Sequence, residues 1–146
     1  MTQNINEPEI LKAMFSIEGI TFENNEGWNS LAEHVAVHNQ YLNMMLKYNV
    51  SWDDALFSWY ENVYTPLRRE VMTARVRKAF PAKTSGELYL DISDHWFYLK
   101  EKDENISAAA AAYDFTQINK EKKNIFSKIF KSQPSTEIQY RRLTAA

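Results

Sequence analysis

Residues Leu31–Leu67 read LAEHVAVHNQYLNMMLKYNVSWDDALFSWYENVYTPL, and their reading decides the fold. The stretch splits into a helix, a short turn at Asn49-Val50-Ser51, and a second helix rich in aromatic residues. Much of it recurs. His38, Tyr41-Leu42, Asn49-Val50-Ser51, Ala55, Phe57 and Trp59 are followed later by His95, Tyr98-Leu99, Asn105-Ile106-Ser107, Ala111, Tyr113 and Phe115. The His-to-Tyr and Ser-to-Ala offsets agree, and the second turn is one residue shorter. A recurring helix–turn–helix unit predicts an all-α domain, a compact helical bundle from two such repeats.

Working outward, Trp28, Leu31, Val35, His38, Leu42 and Met45 recur at helical spacing, with Ala32, Tyr41 and Leu46 widening the stripe. A face of that width predicts a core-facing helix ending near Tyr48. Ser51 followed by Asp54 opens the next helix as a variant of the capping box, and Trp52, Leu56, Trp59 and Val63 align along it. Pro66 removes a backbone hydrogen bond and crowds the turn before it, which predicts a kink or break. The helix then resumes through Val71 and Val76 to Ala79. Thr84 with Glu87 caps a helix carrying Leu88, Ile92, His95, Trp96 and Leu99, and Ser107 caps the last repeat helix. The Ala108–Ala112 run is helix-prone and thin enough for a neighbouring helix to approach closely.

The flanks differ in character. A short helix with Ile10, Leu11, Met14 and Phe15 on one face is expected after Pro8, and a loop from Glu18 to Gly27 follows it, with Ile20-Thr21-Phe22 tucked against the core. From Lys120 onward there are seven Lys/Arg and two Asp/Glu, a balance of +5 against −7 for the preceding residues. KEKKNIFSKIFK, residues 120–131, places Ile125, Phe126, Ile129 and Phe130 opposite its lysines. The expected organisation is an N-terminal segment over 1–27, a helical repeat domain over 28–119 and a basic amphipathic tail over 120–146.

Composition narrows the function classes. With 146 residues and 45% apolar content the chain can bury a core of its own. It contains no cysteine, which excludes disulfides and thiolate chemistry. MTQNINEPEI lacks the pattern of a signal peptide, and no apolar run reaches the length of a membrane span, so a cytoplasmic location is expected.

Three constellations are candidates for function. His34 and His38 stand four apart, as do Asp91 and His95, so the four side chains form a candidate zinc or iron site if the repeats pack about a pseudo-twofold axis. The competing reading makes these histidines structural. Arg68, Arg69 and Arg75, with Lys122, Lys123, Phe126 and Phe130 of the tail, form the candidate partner-binding set. An acidic body disfavours broad nucleic-acid binding, leaving a protein partner or self-association as the expected use. The aromatic residues around Trp59 read either as core or as the lining of a ligand pocket.

Residues Ser58-Trp59-Tyr60-Glu61-Asn62-Val63-Tyr64 with Pro66, then Phe80-Pro81, Thr84 and Glu87-Leu88-Tyr89, then His95 with Tyr98-Leu99, carry a resemblance. The pattern resembles a bacterial family of small uncharacterised helical domains, found alone or beside ParB-like, DNA-associated segments. The likeness covers roughly residues 30–117. It departs from the pattern at Ala82-Lys83, where the family usually has Gly-Arg. The resemblance implies a helical fold and a regulatory role, and brings no activity with it. The function expected from the whole is a non-catalytic interaction or regulatory module, with a metal-dependent enzyme or sensor as the alternative.

Overall fold

The computed structural model describes the backbone of residues 6–130 and the side chains of residues 6–122. Its elements are α1 (Glu7–Phe15), α2 (Glu26–Leu46), α3 (Trp52–Trp59), a π-helical turn (Tyr60–Tyr64), α4 (Thr65–Val71), α5 (Ala74–Ala79), α6 (Ser85–Lys100) and α7 (Ala108–Phe130). The described residues are all helix and connecting loop, as the recurring helix–turn–helix pattern requires.

The helix starts are local chemistry. A side-chain oxygen accepts from an otherwise unpaired backbone N–H of the first turn. Ser51 accepts from Asp54 N at 3.1 Å, Thr84 from Glu87 N at 3.2 Å, and Ser107 from Ala110 N at 3.0 Å. Thr84 Oγ1 also donates to Glu87 Oε1 at 2.9 Å, tying the two side chains of that box together.

The break expected at Pro66 does not occur there. The chain stays helical from α3 into α4, and the strain is absorbed ahead of the proline by the π turn, where Thr65 N–H reaches back to Tyr60 O. Widening the helix there spares the proline ring its collision with the preceding turn. The break comes later, at Met72-Thr73, where Met72 leaves helical geometry and Thr73 caps the short α5.

α2 and α3 form one antiparallel hairpin and α6 and α7 another, with α4 lying against both α6 and α7. The core between them contains Leu31 and Val35 of α2, Trp59 and Tyr64 at the bend, Leu67 and Val71 of α4, and Leu88, Tyr89 and Ile92 of α6. Leu11, Phe15 and Ile20 of the N-terminal segment are buried in the same core. Ala111 and Ala112 are fully buried, so the thin face of α7 receives the molecule's own helices, α4 among them, and is not open to a partner.

The loop from Glu18 to Asn25 is held down, as its apolar residues suggested. Thr21 N donates to Ser85 Oγ at 2.9 Å, Ser85 Oγ donates to Gly19 O at 2.7 Å, and Gly86 N donates to Thr21 O at 2.8 Å. Phe22 stands edge-on to Trp28, with ring centroids 4.9 Å apart.

α2 ends in a left-handed residue, Lys47 (φ 61°, ψ 30°), whose N–H closes the helix on Asn43 O. Glycine takes this conformation without the side-chain crowding lysine suffers. Lys47→Gly is therefore expected to raise stability by about 0.5–1 kcal/mol, measured by urea denaturation.

Candidate functional site

The four candidate metal ligands do not converge. His38 Nε2 shares a hydrogen bond with Ser58 Oγ at 2.9 Å, and His95 Nε2 lies 2.7 Å from Asp114 Oδ2. His34 sits between Ser93 and Asp94, 3.4 Å from each, and Asp91 is paired with Lys83. No group of three or more His, Asp or Glu side chains gathers among the described residues. The expected zinc or iron site is thus corrected. His38 and His95 turn toward the second helix of their own hairpins, His34 reaches across to α6, and Asp91, Asp94 and Asp114 each pair with a different side chain.

The two hairpins nonetheless treat their histidines alike. Ser58 and Asp114 occupy matching positions seven residues after Ser51 and Ser107. His38 stacks on Tyr41 at 6.1 Å and 29°, and His95 on Tyr98 at 6.2 Å and 28°. In each hairpin the imidazole thus links the two helices, with a hydroxyl partner in one and a carboxylate in the other. Burial, assisted by the positive charge of Lys100, holds His38 below its ordinary pKa of 6.5. The folded protein therefore resists protonation there. The stability this gives is present above pH 6.5 and is lost as pH falls toward the depressed value. His38→Gln, which keeps a polar group for Ser58, is expected to flatten the loss of thermal stability on acidification below 6.5.

A second cluster joins the N-terminal loop to the bend. Tyr60 donates to Glu18 Oε2 at 3.0 Å and Tyr64 to Oε1 at 3.1 Å. Arg68 Nε lies 3.5 Å from the same carboxylate and donates to Glu18 O at 3.0 Å. Phe15 covers both tyrosines, with ring centroids 5.9 Å from Tyr60 and 4.4 Å from Tyr64. Both phenols are pushed above their ordinary pKa, Tyr60 chiefly by its bond to Glu18 and Tyr64 chiefly by burial, so both remain donors. Residues of the family-like motif thus build a clamp on the N-terminal segment. Glu18, far away in sequence and in a loop, carried no signal of this.

Arg68 is committed to that clamp. Arg69 is exposed on the same helix, and Arg75 lies over the Tyr113 ring at 5.5 Å. Lys122 is half-buried on α7. Lys123, Phe126 and Phe130 lie outside the described side chains. A cavity of about 190 Å³ is lined by Ala79, Phe80, Thr116, Asn119 and Lys120. Thr116 and Asn119 spend their donors there on the α7 backbone, at Ala112 O and Phe115 O.

The feature least explained by the fold is the outer face of α2. Val37, Tyr41 and Met44, spaced four and three residues apart, are 53%, 55% and 78% exposed, and Tyr48, just past the helix end at Lys47, is exposed as well. Met45, expected to face the core, is exposed beside them. Only Trp28, Leu31, Ala32 and Val35 of α2 are buried, because the helix projects past the core that its first half covers. Residues 36–46 contain no Asp, Glu, Lys or Arg. Single exposed apolar residues are ordinary, but a contiguous row of them marks a surface that something covers. The sequence signal for this row was the second stripe itself: α2 is apolar on two faces, and one core uses only one.

Comparison with family models, curated proteins and solved structures finds no match to this chain. Among the described residues no helix is long and apolar enough to cross a membrane.

Proposed function

We propose that the protein is a non-catalytic interaction module that docks on a protein partner through the outer face of α2. The observation that carries this reading is the exposed row Val37–Tyr41–Met44 on α2, in a stretch, residues 36–46, without Asp, Glu, Lys or Arg, on a helix whose first half buries its opposite face. Two methionines in the patch, Met44 and Met45, give it an adaptable apolar surface. The absence of fixed charge from residues 36–46 favours a neutral protein surface over phosphate or anionic lipid, both of which call for Lys/Arg. The His38–Ser58 link ties α2 to α3 and acts as a stiffener for this face. The basic stretch from Lys120 supplies a second, electrostatic contact that strengthens docking on an acidic partner.

The test is affinity capture by the tagged full-length chain in its native cells, beside Met44→Glu. Met44 is largely exposed, so the variant should fold normally. Loss of the captured set with an unchanged circular dichroism spectrum is the expected result. An unchanged captured set would overturn the reading.

A further inference from the structure

We infer that the cavity between α5 and α7 is a binding site for a small aromatic carboxylate, a molecule with one ring and one acid group. The site lies on other elements than the outer face of α2 and is independent of the docking reading. Its first support is the likeness between the two hairpins. Counting on 56 residues, the interval from Ser51 to Ser107 and from Ser58 to Asp114, brings Trp59 to Phe115, Tyr60 to Thr116 and Tyr64 to Lys120. The π turn adds a residue to the first helix, which sets Tyr64 level with Asn119 or Lys120. Thr116, Asn119 and Lys120 all line the cavity.

The coverings correspond as well. Phe15 lies edge-on to Trp59 with ring centroids 5.9 Å apart, and Phe80 lies 5.4 Å from Phe115. Beside Phe15 the first half places the rings of Tyr60 and Tyr64 and the Glu18 carboxylate that accepts from both. Beside Phe80 the second half has a threonine, an asparagine and a lysine. Three residues after Phe80, where Glu18 follows Phe15, stands Lys83, paired with Asp91. Two rings and an acid group of one half thus have no counterpart in the other, and the cavity lies where they are missing.

The chemistry of the wall says what fits. Thr116 Oγ1 donates to Ala112 O at 2.9 Å and Asn119 Nδ2 to Phe115 O at 2.8 Å, so these polar groups serve the α7 backbone. With Ala79 and Phe80 they leave a mostly apolar wall. Lys120 is exposed at its edge, and among the described residues no carboxylate pairs with it. An apolar pocket with a cation at its rim selects an apolar molecule that ends in an anion. An apolar cavity of about 150 Å³ accepts benzene, so one of about 190 Å³ holds a ring with space for an acid group toward Lys120.

The experiment is a titration of the full-length, isotopically labelled chain with phenylacetate, followed by NMR shifts. Phenylacetamide, which keeps the ring and loses the charge, is titrated beside it. Phenylacetate is expected to give saturable shifts at Ala79, Phe80 and Thr116 in the millimolar range. Phenylacetamide should bind about threefold more weakly, and Lys120→Gln should bring phenylacetate down to the affinity of the amide. Ala79→Leu, which fills the cavity, should abolish both, with circular dichroism reporting that the fold persists. Lys120 is exposed, so Lys120→Gln keeps the fold whatever Ala79→Leu does. Absence of saturable shifts at the lining residues, or saturation elsewhere on the chain, overturns the site. Equal affinity for acid and amide, or an affinity that Lys120→Gln leaves unchanged, overturns the carboxylate as its ligand.

Discussion

Replacing Gly86 with alanine is expected to destabilise the fold by about 3 kcal/mol, seen as a fall of roughly 10 °C in Tm for a chain of this size. A Cβ built on Gly86 lies 2.5 Å from Thr21 O and 2.5 Å from Phe22 Cε1. The ring has some freedom to turn. The carbonyl has none, because it accepts from Gly86 N at 2.8 Å while Thr21 N is bonded to Ser85 Oγ at 2.9 Å. Making room means lifting the 19–22 loop from the start of α6 and breaking those bonds together. Gly27→Ala supplies the contrast. Its Cβ would meet Phe22 ring atoms at 2.1 Å and 2.2 Å. A side chain gives way or can be shortened, so in a Phe22→Ala background Gly27→Ala should cost much less, and Gly86→Ala nearly as much as before. Equal rescue of both variants by Phe22→Ala would show that the backbone contact does not set the cost.

The fold was legible because its determinants are local. Apolar spacing marked α2, α3 and α6, and Ser51, Thr84 and Ser107 stand where a side-chain oxygen caps each following helix. The sequence likeness between the two hairpins extends further than His38 and His95. Leu31 and Leu88, and Val35 and Ile92, are separated by the same 57 residues as the histidines, and all four are fully buried. The breaks were harder to place. Proline marks where a helix is in difficulty but not how the difficulty is resolved, and here a π turn before Pro66 absorbs it. The real interruption, at Met72-Thr73, has only the capping preference of Thr73 as its signal.

The candidate site was less legible, for a different reason. Spacing states which side chains share a face, whereas the direction of that face depends on how hairpins pack. His34 and His38 stand one turn apart on α2, as do Asp91 and His95 on α6, yet their partners are Ser93, Ser58, Lys83 and Asp114. The stripe containing Tyr41 and Met45 was assigned to the core because a periodic apolar run gives no measure of how far the core extends along it. α2 outruns its core after Val35, and beyond it no residue of the helix is fully buried. Contacts between residues distant in the chain, such as Glu18 with Arg68, leave no periodic trace.

Glu18→Ala is the second large effect expected, about 2 kcal/mol. The loss concentrates on Tyr64. Its side chain is fully buried, and Glu18 Oε1 at 3.1 Å is its acceptor, so deletion of the carboxylate strands a hydroxyl away from water. Tyr60 is half-buried and regains a water partner at little cost. Arg68 keeps its bond to the Glu18 backbone oxygen, which alanine also has. A removed hydrogen bond costs most where a buried group is left behind, so deleting both partners should cost less than the sum of the single deletions. Glu18→Ala combined with Tyr64→Phe is therefore expected to fall short of additivity by roughly 1 kcal/mol in urea denaturation, while Glu18→Ala with Tyr60→Phe is close to additive. The clamp also has a local consequence. It ties the loop after α1 to the bend that positions α4, so the variant should speed amide exchange at Gly19 and Ile20 before it affects Leu88 or Ile92 in α6. Uniform acceleration across all four amides would mean that Glu18 stabilises the bundle as a whole and does not act as a fastening for its N-terminal segment.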